Sequence, residues 1–197
     1  LVNDHYEWEL TSRLDRPIDC YHIIFINDPK NTTSTSVMAF PKERLQLANY
    51  LAKELKKDLK TVGLNLLFSQ YLIQKKNETI YSFVMIYLSA THAEIGIVTQ
   101  NVLTDMKLIS FENGIDINSL NLTLRKQLDF RAKNLEKVEK IYLIGSAANK
   151  KMGELIANGV QIVVDILTPH PNVESADTGN LTWQSLASVV GANVQVF

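Results

Sequence analysis

One cysteine, Cys20, stands in 197 residues, which excludes an internal disulfide and a multi-cysteine metal site. At the start of an apolar strand, a cysteine is expected to be buried as a small hydrophobe rather than to serve as a reactive thiol. Charge of one sign is also missing. Twenty Lys and Arg stand against 21 Asp and Glu, a net charge of −1, so no whole-chain field draws in nucleic acid or anionic lipid. Apolar runs fall short of the ~18–20 residues that span a bilayer, and no charged-then-apolar leader precedes Trp8, so neither insertion nor secretion is expected. The first residue is Leu, not Met, which keeps a preceding segment in view. His5, His22, His92 and His170 are scattered without metal-pair spacing. The Asn-x-Ser/Thr triplets at Asn31, Asn77, Asn121 and Asn180 read as chance in an Asn- and Thr-rich chain.

What is present is ordered apolar patterning, with 46% of the residues apolar. A helix is expected over 6–14, stopped by Asp15-Arg16-Pro17. Strands over 20–26 and 36–40 pair as a hairpin across a polar loop containing Asp28-Pro29. Leu45, Ala48, Leu51, Leu55, Leu59 and Val62 recur at helical spacing after Pro41, predicting a helix over 41–61 with Gly63 as its left-handed stop. Its lysines, Lys53, Lys56, Lys57 and Lys60, form the solvated face. A short strand over 64–68 and a helix over 69–76 follow.

The stretch 83–114 is the organising element. It reads as a meander of strands over 83–88, 93–99 and 103–111. The small-residue turn Ser89-Ala90-Thr91-His92 and a hairpin corner at Gln100-Asn101 join them. Helix is expected within 120–139, where Arg125, Lys126, Arg131, Lys133, Lys137 and Lys140 are offset by Asp129, Glu136 and Glu139. No aromatic residues interleave with these charges, so a nucleic-acid surface is not expected. A strand over 141–144, a helix over 150–158 stopped by Gly159 and a strand over 160–167 make a crossover unit with parallel strands. A last helix is expected over 181–192, capped by Thr182.

Taken in order, these pieces resemble the actin-like ATPase superfamily, in particular the PilM-like type IV pilus assembly proteins, with FtsA a more distant relative. Trp8-Glu9-Leu10, Pro17 and Tyr21 are similar to the opening of that family's small inserted subdomain, and Phe40-Pro41-Lys42-Glu43 with Val62-Gly63-Leu64 to its close. The run from Lys140 to Gly145 resembles the strand that carries the adenosine turn, Leu167-Thr168-Pro169 the segment after the next strand, and 186–192 the closing small-residue helix. The resemblance implies an α/β chain, a partial actin-like (RNase H-like) fold. Residues 1–68 would be a small α+β inserted subdomain of SHS2 type and 69–197 a nucleotide-binding-type subdomain.

Departures from the family pattern decide the expected chemistry. Tyr87 and Ser89 occupy the positions where the family carries an Asp that helps hold Mg²⁺ or water and a Gly that approaches phosphate. The Gly-Gly turn has become Asn113-Gly114, and the adenosine turn retains Gly145 followed by Ser146-Ala147-Ala148. The first phosphate loop would lie before residue 1. The expectation is therefore a degenerate pseudo-ATPase without catalytic residues, metal site or required cofactor. If Mg²⁺-ATP still binds, the resemblance assigns it to Ser89, Thr91, Asn113, Gly114, Gly145 and Ser146. The implied role is a cytoplasmic scaffold holding the cytoplasmic tail of an inner-membrane assembly protein, peripheral to the membrane through that partner. The docking residues would be Tyr21, Ile23, Phe25, Leu45, Leu51 and Leu55. Self-association stays open. The alternatives are an ATPase completed by an upstream segment and a division or cytoskeletal adaptor. His92 and Glu94 read as an exposed loop histidine and an outward strand carboxylate. Gly145-Ser146 lacks a nucleophile elbow, and Asp177-Thr178-Gly179 lacks the apolar strand setting of an aspartic protease.

Overall fold

The computed structural model describes residues 2–28, 31–56, 58, 65–76, 82–133 and 138–167. Contacts divide the chain into two units, Leu1–Val62 and Gly63–Phe197.

In the first unit, α1 (Val2–Arg13) leads through a short 3₁₀ turn (Ile18–Cys20) into β1 (Tyr21–Asp28), β2 (Asn31–Pro41) and α2 (Lys42–Glu54). β1 and β2 form the expected antiparallel hairpin, in register from Tyr21↔Pro41 to Asn27↔Thr35. Cys20 corrects the expectation of burial: it lies in the 3₁₀ turn ahead of the strand and is exposed. Pro41 sits at the N-cap of α2 with φ −57°, the angle its ring imposes. The helix stops earlier than the apolar spacing suggested, because Lys56 turns into the left-handed region at φ 52°. The positions of Leu59, Val62 and Gly63 lie outside the described residues. α2 packs on β2 through a narrow strip, with Leu45, Ala48 and Ala52 half-buried and none of its residues fully buried. Beside the hairpin, the Tyr21 hydroxyl donates to Asp15. That bond holds the Asp15 carboxyl below the usual carboxylate range and pushes the Tyr21 hydroxyl above its own.

In the second unit, residues expected as a strand followed by a helix form one helix, α3 (Asn65–Lys76). Its Leu66, Leu72 and Ile73 bury against β3 (Phe83–Leu88) and β4 (His92–Thr99). A short apolar run such as Leu66-Leu67-Phe68 fits a strand or a buried helix equally well, and tertiary packing decides. β5 (Val102–Ser110) completes the meander, and the corner residues Gln100 and Asn101 both take positive φ, 51° and 67°, as a tight hairpin requires. α4 (Ile117–Lys133), β6 (Lys140–Ile144), α5 (Lys150–Val160) and β7 (Val164–Ile166) follow. The five strands stand in the order β5-β4-β3-β6-β7, antiparallel across the meander and parallel from β3 to β6 to β7. β7 is shorter than the run 160–167 because α5 continues through Gly159 to Val160. Gln161, at φ 60°, makes the left-handed stop expected of Gly159. Gly159 answers to a different need: a Cβ there would lie 2.1 Å from Asn121 Nδ2 on α4.

The central strands are covered on both faces. Val84, Ile86, Leu88, Ile141 and Leu143 join Leu120, Leu124 and Ile156 of α4 and α5 on one side. Phe83, Met85, Tyr142 and Ile144 join α3 on the other. Asn121 of the second Asn-x-Thr triplet inside this unit is buried and donates to Leu155 O at 3.2 Å, so it is no glycan acceptor. The expected helix over 181–192 and the turn at Pro169 lie outside the described residues.

Candidate functional site

Strand directions bring three turns to one end of the sheet. β3, β5 and β6 finish there and β4 begins there, so Ser89–His92, the loop after Ser110 and the loop after Ile144 share an edge. It is the carboxyl end of the parallel strands, where open α/β sheets place their ligands. Ser89, Thr91, Asn113, Gly114, Gly145 and Ser146 all lie on these turns, while the docking residues proposed from the sequence lie in the first unit.

The first turn closes on itself. Ser89 Oγ accepts the amides of His92 at 3.1 Å and Thr91 at 3.3 Å. The hydroxyl in turn stands 3.0 Å from His92 O and 2.9 Å from His92 Nδ1. The Ser89 amide donates to His92 O at 2.9 Å. Amides that a glycine turn would direct at phosphate are here spent on a serine of the same turn. Tyr87, half-buried, stacks on the His92 ring with 6.1 Å between centroids and 26° between planes. His92 Nε2 lies 3.5 Å from Glu94 Oε1, so neither residue is the isolated surface group expected from the sequence. Among the described residues no group of three His, Cys, Asp or Glu is placed to hold a metal ion.

The second turn opens onto a hollow of 500 Å³ lined by Ser110, Phe111, Asn113, Gly114, Asp116 and Ser119. Gly114 takes φ +87° with nothing within 4 Å of a built Cβ, so the backbone angle, not space, calls for glycine. Asp116 is a residue sequence reasoning missed. Its Oδ1 accepts the Asn118 and Ser119 amides at 3.0 and 3.1 Å, and its carbonyl accepts from Leu120, capping α4. An Asp just ahead of an apolar-periodic stretch was the legible signal.

The third turn is set by Gly145 at φ +103°. A Cβ there would fall 2.4 Å from Leu88 O, so only glycine lets β6 leave the sheet beside β3. Leu88 O instead accepts the Ala147 amide at 3.0 Å. Asn149 caps α5, its Oδ1 taking the Met152 amide at 3.0 Å, and Ser146 is exposed.

In the first unit, Tyr21 is buried and bonded to Asp15, so it does not present a docking surface. Ile23 and Leu45 are half-buried. Phe25, Leu51 and Leu55 are exposed, and the structure adds Ile24, Leu47 and Tyr50 to them.

The mixed five-stranded sheet with its loops gathered at one end is, by likeness to solved structures, an actin-like ATPase fold. A solved structure described as a PilM-PilN type IV pilus biogenesis complex contains a chain that matches 98% of this one. The TM-score is 0.75, the identity 12%, and 71% of that chain is covered. A Bacteroides thetaiotaomicron protein with actin-like ATPase fold and unknown function matches 83% of this chain at TM-score 0.51 and 10% identity. This chain spans 60% of that protein's length. No family model matches the chain, and no curated protein does. The fold expected from the PilM-like resemblance is borne out.

Proposed function

We propose that the chain is a non-catalytic scaffold of a type IV pilus or related secretion assembly, cytoplasmic and held at the inner membrane by the tail of a membrane-anchored partner. The observation that carries this reading is the apolar face of the first unit. Leu47, Tyr50 and Leu51 of α2 and Leu55 at its C-cap are 50–70% exposed; Ile24 and Phe25, on opposite faces of β1, are exposed as well. The spacing of the first four makes one stripe along the helix, the kind of surface an amphipathic or extended segment covers with a few anchors. The 0.75 match to a chain of a PilM-PilN complex supports the same direction. No helix among the described residues is long and apolar enough to cross a membrane, which suits a partner-held protein.

The turns support a reading without phosphoryl transfer. Tyr87 replaces the expected carboxylate, and the amides of Ser89, Thr91 and His92 are satisfied within their own turn. Transfer needs a metal and phosphate contacts held together. The test is fluorescence anisotropy with labelled synthetic peptides covering the cytoplasmic segments of pilus inner-membrane proteins from the same genome. Binding weakened about tenfold or more by Leu51→Ser or Leu55→Ser is expected. Failure of every peptide, or indifference to both substitutions, overturns the reading.

A second reading, nucleotide binding completed by an upstream segment, is favoured by the place of Gly145-Ser146 at the carboxyl end of the parallel strands, with Ser146 exposed. Thermal shift with Mg²⁺-ATP separates the two. A melting temperature unmoved at millimolar nucleotide, in this chain and in one extended upstream, supports the scaffold, and a Mg²⁺-dependent rise in either supports the nucleotide reading.

A further inference from the structure

β5 is an edge strand: among the described residues no strand pairs with its outer side. The direction of its backbone groups can be derived. Phe111 N donates to Thr91 O at 2.7 Å, and the ladder then runs Ile109↔Ala93, Lys107↔Ile95 and Asp105↔Ile97. Antiparallel ladders alternate, so the odd-numbered residues exchange their hydrogen bonds with β4. The amides and carbonyls of Met106, Leu108 and Ser110 therefore point outward. Both ends of this set are defined. Beyond Phe111 the chain turns away into the 110–119 hollow. Before Asp105 the register skips Thr104, whose hydroxyl reaches back to Ile97 O at 3.2 Å.

We propose that β5 pairs with β5 of a second copy of this chain, antiparallel, about a two-fold axis through Leu108. This register is the one that uses the whole outward set: Leu108 faces its own counterpart and Met106 faces Ser110 of the second copy, with two bonds exchanged per pair. An axis through Met106 would call on Thr104, which the bulge takes out of the regular ladder. An axis through Lys107 would set two ammonium groups directly opposite, a destabilising pair. Side chains agree with the Leu108 axis. Met106 and Leu108 share the face of Gly96 and Glu94 and are 42% and 63% exposed. Across the axis the leucines meet, flanked by the methionines, while Lys107 lies opposite Ile109 of the second copy. The contact is isologous and closes as a dimer.

Sedimentation of the intact chain over a wide concentration range tests the pairing. Mass rising from 22.3 kDa toward about twice that value is expected. Leu108→Lys, which sets like charges on the axis, and Leu108→Pro, which removes an outward amide while sparing the β4 ladder, are each expected to raise the dissociation constant about tenfold or more. Unchanged circular dichroism and melting temperature show that the variants remain folded. A chain monomeric throughout, or a dimer insensitive to both substitutions but abolished by Leu47→Lys on α2, overturns the proposal. Edge pairing with an added extended peptide and no self-association would also overturn it. Because the tail peptides are scored on α2 variants, failure of the dimer and failure of the scaffold reading are separable.

Discussion

Helix α2 and strand β3 both carry an apolar pattern in sequence, yet they end in opposite environments. Five of the six residues of β3 are buried, walled by α3 on one side and by α4 and α5 on the other. α2 buries none and leaves Leu47, Tyr50, Leu51 and Leu55 in solvent. The lesson is that a periodic pattern identifies the face an element could bury, while the neighbours decide whether it does. In the second unit the cover is supplied by the same chain. In the first, we read the uncovered stripe as a surface awaiting another molecule.

Substitution sharpens this contrast most strongly at the core. Phe83→Ala, at a fully buried position, is expected to lower unfolding free energy by about 3–5 kcal/mol in urea titration. Gly145→Ala, forced into φ +103° against Leu88, is expected to cost about 2–3 kcal/mol by the same measurement. Tyr142 tests the dryness of the α3 face. Among the described residues its buried hydroxyl has no hydrogen-bond partner, and burial pushes its pKa up to about 12. Tyr142→Phe is therefore expected to be neutral or to stabilise by up to about 1 kcal/mol. Stability near neutral pH is unaffected by that titration; the raised value means the contribution of neutral Tyr142 is lost only as pH climbs from the ordinary tyrosine range toward 12.

Smaller effects should come from the first unit. Leu51→Ser is expected to change stability by no more than about 0.5 kcal/mol, since the side chain is half in water already. A cost resembling that of Phe83→Ala would break the comparison and make α2 part of a core. The Asp15–Tyr21 bond gives the first unit a pH signature. Asp15 is held below the usual carboxylate range, so its contribution is present above the unfolded pKa and lost as pH falls through the folded one. Hydrogen-exchange protection factors at β1 and β2 amides, corrected for the intrinsic rate, should fall as pH drops below the ordinary carboxylate range, and more weakly in Tyr21→Phe.

Much of the fold was legible because β3 and β6 are nearly continuous apolar runs, β4 and β5 are apolar-rich stretches, and polar turns bound them, so that the meander and crossover follow from their order. Caps were harder to read. Lys56 and Gln161 adopt the left-handed conformations that Gly63 and Gly159 seemed to offer, since a backbone can be held there by surrounding packing against its intrinsic preference. Cys20 fell outside its strand by a single residue, enough to expose it. At the candidate site, the sequence showed which turns depart from the nucleotide-binding pattern. It could not show that Ser89 consumes the amides of its own turn or that Tyr87 stacks on His92, because both depend on the closed turn in three dimensions.

The cap on α4 has a further consequence. Helix N-termini attract anions, and here the position is held by Asp116, whose carboxylate is fixed to the same chain. Two amides of the helix end beside the 110–119 hollow are therefore already taken by a carboxylate of the same chain. The loop and the helix are thereby tied into one unit, and Asp116→Asn, which keeps the hydrogen bonds and removes the charge, is the change that separates the geometry of that tie from its electrostatics.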